Sequence, residues 1–276
     1  MGALVCCALG AQPAGRVLKF EAASVRPSSP GGYVAGAVHQ TFCGPPFGSS
    51  ISQTQLRLVM CTVHDLVVRA WSVREYELRL PPDQPWVKSL RYDVTAKSSS
   101  PVSPIEMGEM LGPLLEERFR LKWHREKREA PVYFLDAAKG GVKLPRTKPG
   151  ACTAWPDHRY PPPPPNPHQP PTCDYPLMPG TPDRRGLGLE GTGVTMPSLV
   201  NRLTDLLGRN VIDRTGFTGS FDLHVLFERE TAVGTETPSG YPSLFTAVRA
   251  LGMNLVAGKA SIGVLVVDSA HQPLGN

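Results

Sequence analysis

Nowhere among the 276 residues do 18 or more apolar residues follow one another, so no membrane-spanning helix is expected. Charge is also sparse. A charged fraction of 19% and a formal net charge of +5 are too dilute to imply a nucleic-acid partner, which demands a concentrated basic face. The signatures of common hydrolases are missing: there is no His-Glu-x-x-His zinc helix, no Gly-x-Ser-x-Gly elbow, and no serine followed three residues later by lysine. No motif calls for a cofactor. What remains is an ordinary globular composition, 41% hydrophobic, on a chain long enough to bury a core without metal or disulfide staples.

Proline, by contrast, is in excess. Average usage gives roughly fourteen in a chain of this length; this one has 30, of which 14 fall between Pro145 and Pro182, with Pro161 to Pro165 consecutive. That stretch reads as a polyproline-type linker or long surface loop at 145–185. The start, from Met1 through Cys6 and Cys7 to Ala11, is apolar and small and reads as the remnant of a secretory signal at 1–15, which implies export to the periplasm or beyond. Beyond it four cysteines remain, Cys43, Cys61, Cys152 and Cys173. Sequence proximity favours pairing Cys43 with Cys61 and Cys152 with Cys173, although four cysteines allow three pairings. Cys61 is equally readable as a buried free thiol within a helical pattern.

The proline-rich stretch separates a part at 16–144 from one at 186–271, with a tail at 272–276, and each part shows the same order of signals. In the first, Leu56, Val59, Met60, Val63, Val67 and Ala70 recur at helical spacing. Strands follow at Tyr76 to Leu80 and Arg91 to Ala96. Ser103-Pro104-Ile105-Glu106 then announces a helix by a capping box with proline in the first position. Gly112-Pro113 should kink or break that helix. Strands at Phe119 to His124 and Val132 to Leu135 close the part. The second part reads as a strand at Leu187 to Val194, a helix through Leu199, Leu203 and Leu207 capped by Gly208, strands at Asn210 to Asp213 and Phe221 to Phe227, a helix from Pro242, and strands at Met253 to Val256 and Gly263 to Val267. The expectation is an α+β protein of two duplicated lobes. Each is helix, two strands, helix, two strands with an extra leading strand, its helices on one face of a small, mostly antiparallel sheet. A fixed offset of 132 supports duplication: it lays Phe119, Leu121 and Trp123 on Leu251, Met253 and Leu255, and Val132, Asp136 and Ala138 on Val264, Asp268 and Ala270.

Three stretches carry a family resemblance: Val17 to Pro27, Leu115 to Leu121, and above all Gly208 to Asp222 (Gly-Arg-Asn-Val-Ile-Asp-Arg-Thr-Gly-Phe-Thr-Gly-Ser-Phe-Asp). In these the sequence resembles a multi-copy group of uncharacterised exported proteins best known from soil acidobacteria, a domain of unknown function. The resemblance covers nearly the whole chain past the signal, and it implies no established activity or catalytic residue. Some relatives carry the domain beside a membrane metallopeptidase of the antibiotic-sensor type, so a signalling ectodomain enters by analogy alone.

Few residues point to chemistry. Gly186-Leu187-Gly188-Leu189-Glu190-Gly191 matches a dinucleotide fingerprint formally, in the wrong context for one. Arg214-Thr215-Gly216 resembles the Lys-Thr-Gly element of serine β-lactamases, without the nucleophile that chemistry needs. It reads better as a loop whose Gly216 and Gly219 supply special backbone angles, with Asp213, Arg214, Thr215 and Asp222 as the polar groups of a ligand site if there is one. Cys152, His158, His168 and Cys173 would suit zinc chemically, but their spacing fits no compact finger, and a disulfide-closed loop is the better reading. Arg120, Lys122, Arg125, Lys127 and Arg128 cluster near the end of the first part, where strand alternation would set the basic groups on one exposed strip for an anionic polymer or acidic envelope protein. The leading expectation is a non-catalytic extracytoplasmic binding module. The rivals are an exported hydrolase with a dispersed site and the signalling ectodomain.

Overall fold

In a computed structural model of the chain, residues 18–28, 43–44, 52–154, 168–175, 186–228 and 240–273 are described below. The elements are β1 (Ala22–Pro27), β2 (Gln55–Cys61), α1 (Val63–Trp71), β3 (Leu78–Arg79), α2 (Trp86–Ser89), β4 (Tyr92–Lys97), α3 (Pro104–Glu109), α4 (Leu111–Arg118), β5 (Lys122–Ala137), β6 (Gly186–Thr195), α5 (Met196–Leu207), β7 (Val211–Asp213), β8 (Ser220–Glu228), α6 (Leu244–Ala250) and β9 (Met253–Ser269). The class is α+β, with sheets mostly antiparallel. Two compact units divide the chain: Met1–Val73 with Pro81–Lys122 and Ser269–Asn276, and Arg74–Leu80 with Trp123–Asp268. The signal remnant and most of the proline-rich stretch lie outside the described residues.

The first unit holds the sheet β1-β4-β2, antiparallel throughout, with α1 to α4. Its central strand β4 alternates as a half-buried strand must: Tyr92, Val94 and Ala96 are buried, and Thr95 and Lys97 exposed. Val94 stands between Val25 of β1 and Leu58 of β2. The helix expected across residues 56–70 is instead β2 followed by α1. Apolar spacing fits a helix there, but Leu56 and Leu58 pair with β4. The helix starts only where Thr62 and Asp65 form a reciprocal capping box, the Thr62 hydroxyl accepting from Asp65 N at 3.1 Å and the Asp65 carboxylate from Thr62 N at 2.9 Å. A second capping box, Ser103 with Glu106, begins α3 as read from the sequence. The expected break falls at Met110, between α3 and α4. It precedes Pro113 by three residues, which frees the last carbonyls of α3 from a clash with the proline ring. Phe119 ends α4, wholly buried and edge-on to Tyr92 at 5.0 Å. Arg120 turns out of the helix with φ 46°.

The second unit holds the antiparallel pair β6-β8 and the sheet β3-β9-β5-β7, with α5 and α6. Leu135, Leu189, Leu199, Leu203, Phe221 and Met253 form its main core, while Val132, Ile262 and Val264 make a second cluster. Here the sequence reading is corrected in three places. Phe119 to His124 and Val132 to Leu135 are not two separate strands: β5 runs unbroken for 16 residues from Lys122, and β9 likewise for 17 from Met253. No Asn-Gly or Asp-Gly pair interrupts either stretch. Tyr76 to Leu80 yields only a 3-10 turn at Glu75–Glu77 and the two-residue β3. Finally, the last strands of the two halves do not close separate sheets, since β5 and β9 lie side by side. The ion pairs His124–Asp268 and Glu129–Lys259 run in opposite order along the two strands, as an antiparallel ladder requires.

Candidate functional site

The long strand β5 brings together most of the basic residues singled out above, but not all on one face. Arg120 belongs to the turn that precedes it, and Arg120 and Lys122 fall in the first unit. Within the second unit Arg125, Lys127 and Arg128 are all exposed. A strand alternates sides, so Arg125 and Lys127 project from one face and Arg128 from the other. The single basic strip therefore becomes a ribbon with cations on both faces. Arg128 donates to Glu126, and His124 meets Asp268 at 3.0 Å. Among the described residues Arg125 and Lys127 have no carboxylate in reach.

Among the described residues the outer edge of this ribbon is open beyond β7. β7 pairs with β5 only at Tyr133, Phe134 and Leu135, and Tyr133 N donates to the Asn210 carbonyl at 2.9 Å. Main-chain groups two residues apart point to the same side of a strand. The N–H and C=O of Trp123, Arg125, Lys127 and Glu129 therefore face the side where β7 has stopped. Pro131 falls in the same series, where its missing N–H has no partner to disappoint. The sequence signal for this edge is present in Pro131 and the charged run, but dividing the stretch into two strands conceals it.

The Asp213–Asp222 segment is held by its own bonds. Asp213 Oδ1 accepts from Thr215 N at 2.8 Å and Thr215 Oγ1 at 2.7 Å, and Thr215 Oγ1 accepts from Phe217 N at 3.1 Å. Gly216 and Gly219 take φ of 65° and 85°, the left-handed region that other residues resist. Arg146 lies over the Phe217 ring and donates to the Thr218 carbonyl. The Arg214 guanidinium stacks on Phe134. Asp222 turns away from this loop: its Oδ1 accepts from Thr147 Oγ1 at 2.7 Å and from Gly193 N at 3.3 Å. The segment is thus a self-satisfied turn whose one exposed, stacked cation is Arg214.

Cys152 and Cys173 are joined, as are Cys43 and Cys61. The first bridge leaves Cys152 and Cys173 no thiolate for zinc; His158 lies outside the described residues, and among those described no cluster of metal-ligating side chains occurs. Asp174, beside the bridge, accepts from Thr195 N at 2.8 Å, so the bridged segment anchors the start of α5. The glycine run Gly186–Gly191 lies inside β6, paired to β8 from Glu228 to Leu223; a strand ladder replaces the phosphate-cradling loop that a dinucleotide would need.

Burial pushes the Tyr76 hydroxyl up to about 12 despite Arg74 nearby, and the hydroxyl lies 3.5 Å from the Asn210 amide oxygen. This neutral phenol at the head of β3 is a structural contact. In the first unit a groove opens around Met60 and Arg91. No sequence pattern marked it, because a bulge in β2 between Leu58 and Cys61 shapes it.

No curated protein and no solved structure matches the chain. Residues 64–270 match the model of a family described as a protein of unknown function, DUF3738, and the chain belongs to that family.

Proposed function

We propose that the chain is a non-catalytic, exported binding module of the bacterial cell envelope, and that it contacts an anionic envelope polymer or an acidic protein along the outer edge of β5. The observation that carries this reading is the open edge itself. Over Arg125 to Glu129 it offers main-chain groups with no strand partner among the described residues, beside Arg125 and Lys127, two exposed cations without a carboxylate among the same residues. Strand addition draws affinity from such main-chain groups and selectivity from the flanking side chains, and clustered charge steers an oppositely charged partner to them. Charged edges also serve simply to prevent aggregation. Against that simpler role stands the comparison of β5 with β9, whose outer edge is equally short of a neighbour, since β3 pairs with it only at Leu265 and Val266. At the offset of 132, Arg125, Lys127 and Arg128 fall on Ala257, Lys259 and Ala260. An edge guard would be wanted on both.

The same offset supports the duplication as part of this proposal. It lays α4 and β5 on α6 and β9 nearly end to end, and the parallel pairing of β3 with β9 repeats that of β7 with β5. In this reading the two halves, 16–144 and 186–271, are diverged copies that exchange their short strands. Two disulfides support export, because such bonds persist in oxidising compartments. No helix among the described residues is long and apolar enough to cross a membrane. An origin in a multi-copy family of soil acidobacteria belongs to the same reading.

Replacing Arg125 and Lys127 by glutamate and measuring retention on isolated cell envelopes tests the proposal. The native chain should be retained at low salt and released at high salt, and the variant should wash through at both. Equal retention of a folded variant would reduce the charges to a solubility device.

A further inference from the structure

We propose that the groove in the first unit binds a small organic anion, a carboxylate carried on an aliphatic or aromatic body. The groove, about 460 Å³, lies where β1 ends and β4 begins, beside the bulge of β2, and is lined by Pro27, Met60, Leu90, Arg91 and Tyr92 among others. That volume is in the range of small-molecule sites; the walls mix Pro27, Met60, Leu90 and Tyr92 with the polar Ser28, Ser89 and Gln272, and Arg91 is their one charged group. Leu90 stands 40% exposed at the rim, where it offers an apolar surface to an occupant.

Arg91 supplies the charge. It is half-buried, and its Nη1 donates to the Met60 carbonyl at 2.7 Å. No carboxylate lies within ion-pair distance of it among the described residues. Asp93, the nearest acid along the strand, is already engaged: its Oδ1 accepts from Ser28 Oγ at 2.5 Å and from Met60 N at 3.0 Å. The first 64 residues hold one acid, Glu21, whose N–H bonds the Lys97 carbonyl at the far end of the β1–β4 ladder. A guanidinium drawn partly out of water with no counter-charge is costly. Its remaining N–H donors form a planar fork suited to a carboxylate.

The backbone is set for the same purpose. Met60 takes φ 59°, a left-handed conformation that a long side chain adopts only under constraint. Asp93 on its N–H, Arg91 on its carbonyl and the bonded Cys61 beside it provide that constraint. Held strain of this kind collects at ligand sites. This site lies in the first unit and does not depend on the β5 reading.

Calorimetric titration of the full-length, oxidised protein with hexanoate, benzoate and the neutral hexanamide tests the assignment. Saturable binding of at least one carboxylate, with none of hexanamide, is the expected result. Arg91→Gln should weaken it by about tenfold or more, the worth of a charge-assisted pair. Leu90→Glu, at an exposed position whose change spares the core, should do the same by repelling the anion. The proposal is overturned if neither carboxylate binds the native protein, if hexanamide binds as well as hexanoate, or if the folded Leu90→Glu variant keeps native affinity.

Discussion

Gly193 lies directly against Cys152: a β-carbon built on the glycine stands 2.6 Å from the Cys152 sulfur, with Cys173 Cβ at 3.2 Å. The glycine also takes φ 66° at the bulge of β6, and its N–H meets Thr147 Oγ1 at 3.1 Å. One residue thus meets two demands that only glycine satisfies, a left-handed backbone and room for a disulfide. Gly193→Ala should destabilise the chain by about 2–4 kcal/mol, the left-handed cost plus overpacking. In a Cys152→Ala, Cys173→Ala background the same change should cost only about 1–2 kcal/mol, the backbone share. Urea unfolding of the four proteins measures the difference. Equal costs in both backgrounds would mean that the bridge does not press on Gly193.

The sheet order predicts how the chain behaves when cut. β5 takes its neighbours, β9 and β7, from the other half of the sequence, so neither residues 18–154 nor 168–273 alone can complete the four-stranded sheet. Expressed separately, fragment 168–273 should lack cooperative unfolding, and fragment 18–154 should keep the sheet β1-β4-β2 but leave β5 unprotected against hydrogen exchange. Co-expressed under oxidising conditions, they should assemble into one cooperative species linked through Cys152 and Cys173. Main-chain protection of β5 in fragment 18–154 on its own would refute the exchange of strands.

Acid should loosen the first unit through its helix caps. Burial alone would raise the Asp65 carboxyl, but hydrogen bonds from Thr62 N and Oγ1 and the nearby His64 outweigh it, and the net direction is down from 3.8. The Ser103 backbone and hydroxyl hold Glu106 below 4.5. A lowered folded-state pKa means that this stability is present in full above the unfolded values and is lost as pH falls through the folded ones. Thr62→Ala should cost about 1 kcal/mol at neutral pH, and the gap from the native chain should narrow as pH falls below about 4. Chemical denaturation across that range follows it, and a gap that widens with acid would contradict the capping account.

The sequence revealed those elements whose signals are local. Ser103 and Glu106, Gly208 after α5, and the break ahead of Pro113 are each legible from side-chain chemistry within one turn, and each lies where that chemistry puts it. Strand pairing is a different matter. Leu56 to Cys61 fits a helical period, and only β4 beside it makes it a strand. The β5 ribbon was divided because charged residues in its middle resemble a turn, whereas partner β9 carries the pair through them. Gly258 illustrates the hidden constraint: a β-carbon there would meet the Phe134 ring at 2.5 Å, a contact between residues far apart in sequence. The groove at Arg91 was unreadable for the same reason, being built by a strand end, a bulge, a turn and Gln272 from four places in the chain.

Hydrogen–deuterium exchange of the native chain, free and bound to isolated cell envelopes, shows whether the outer edge of β5 is the contact surface. Strand addition predicts slowed exchange across Arg125 to Ala130, where the outer edge of β5 has no neighbour among the described residues. That protection should vanish at high salt, with β8, already paired along its length to β6, unchanged as the internal reference. Envelope binding with exchange at Arg125 to Ala130 unaltered would contradict strand addition.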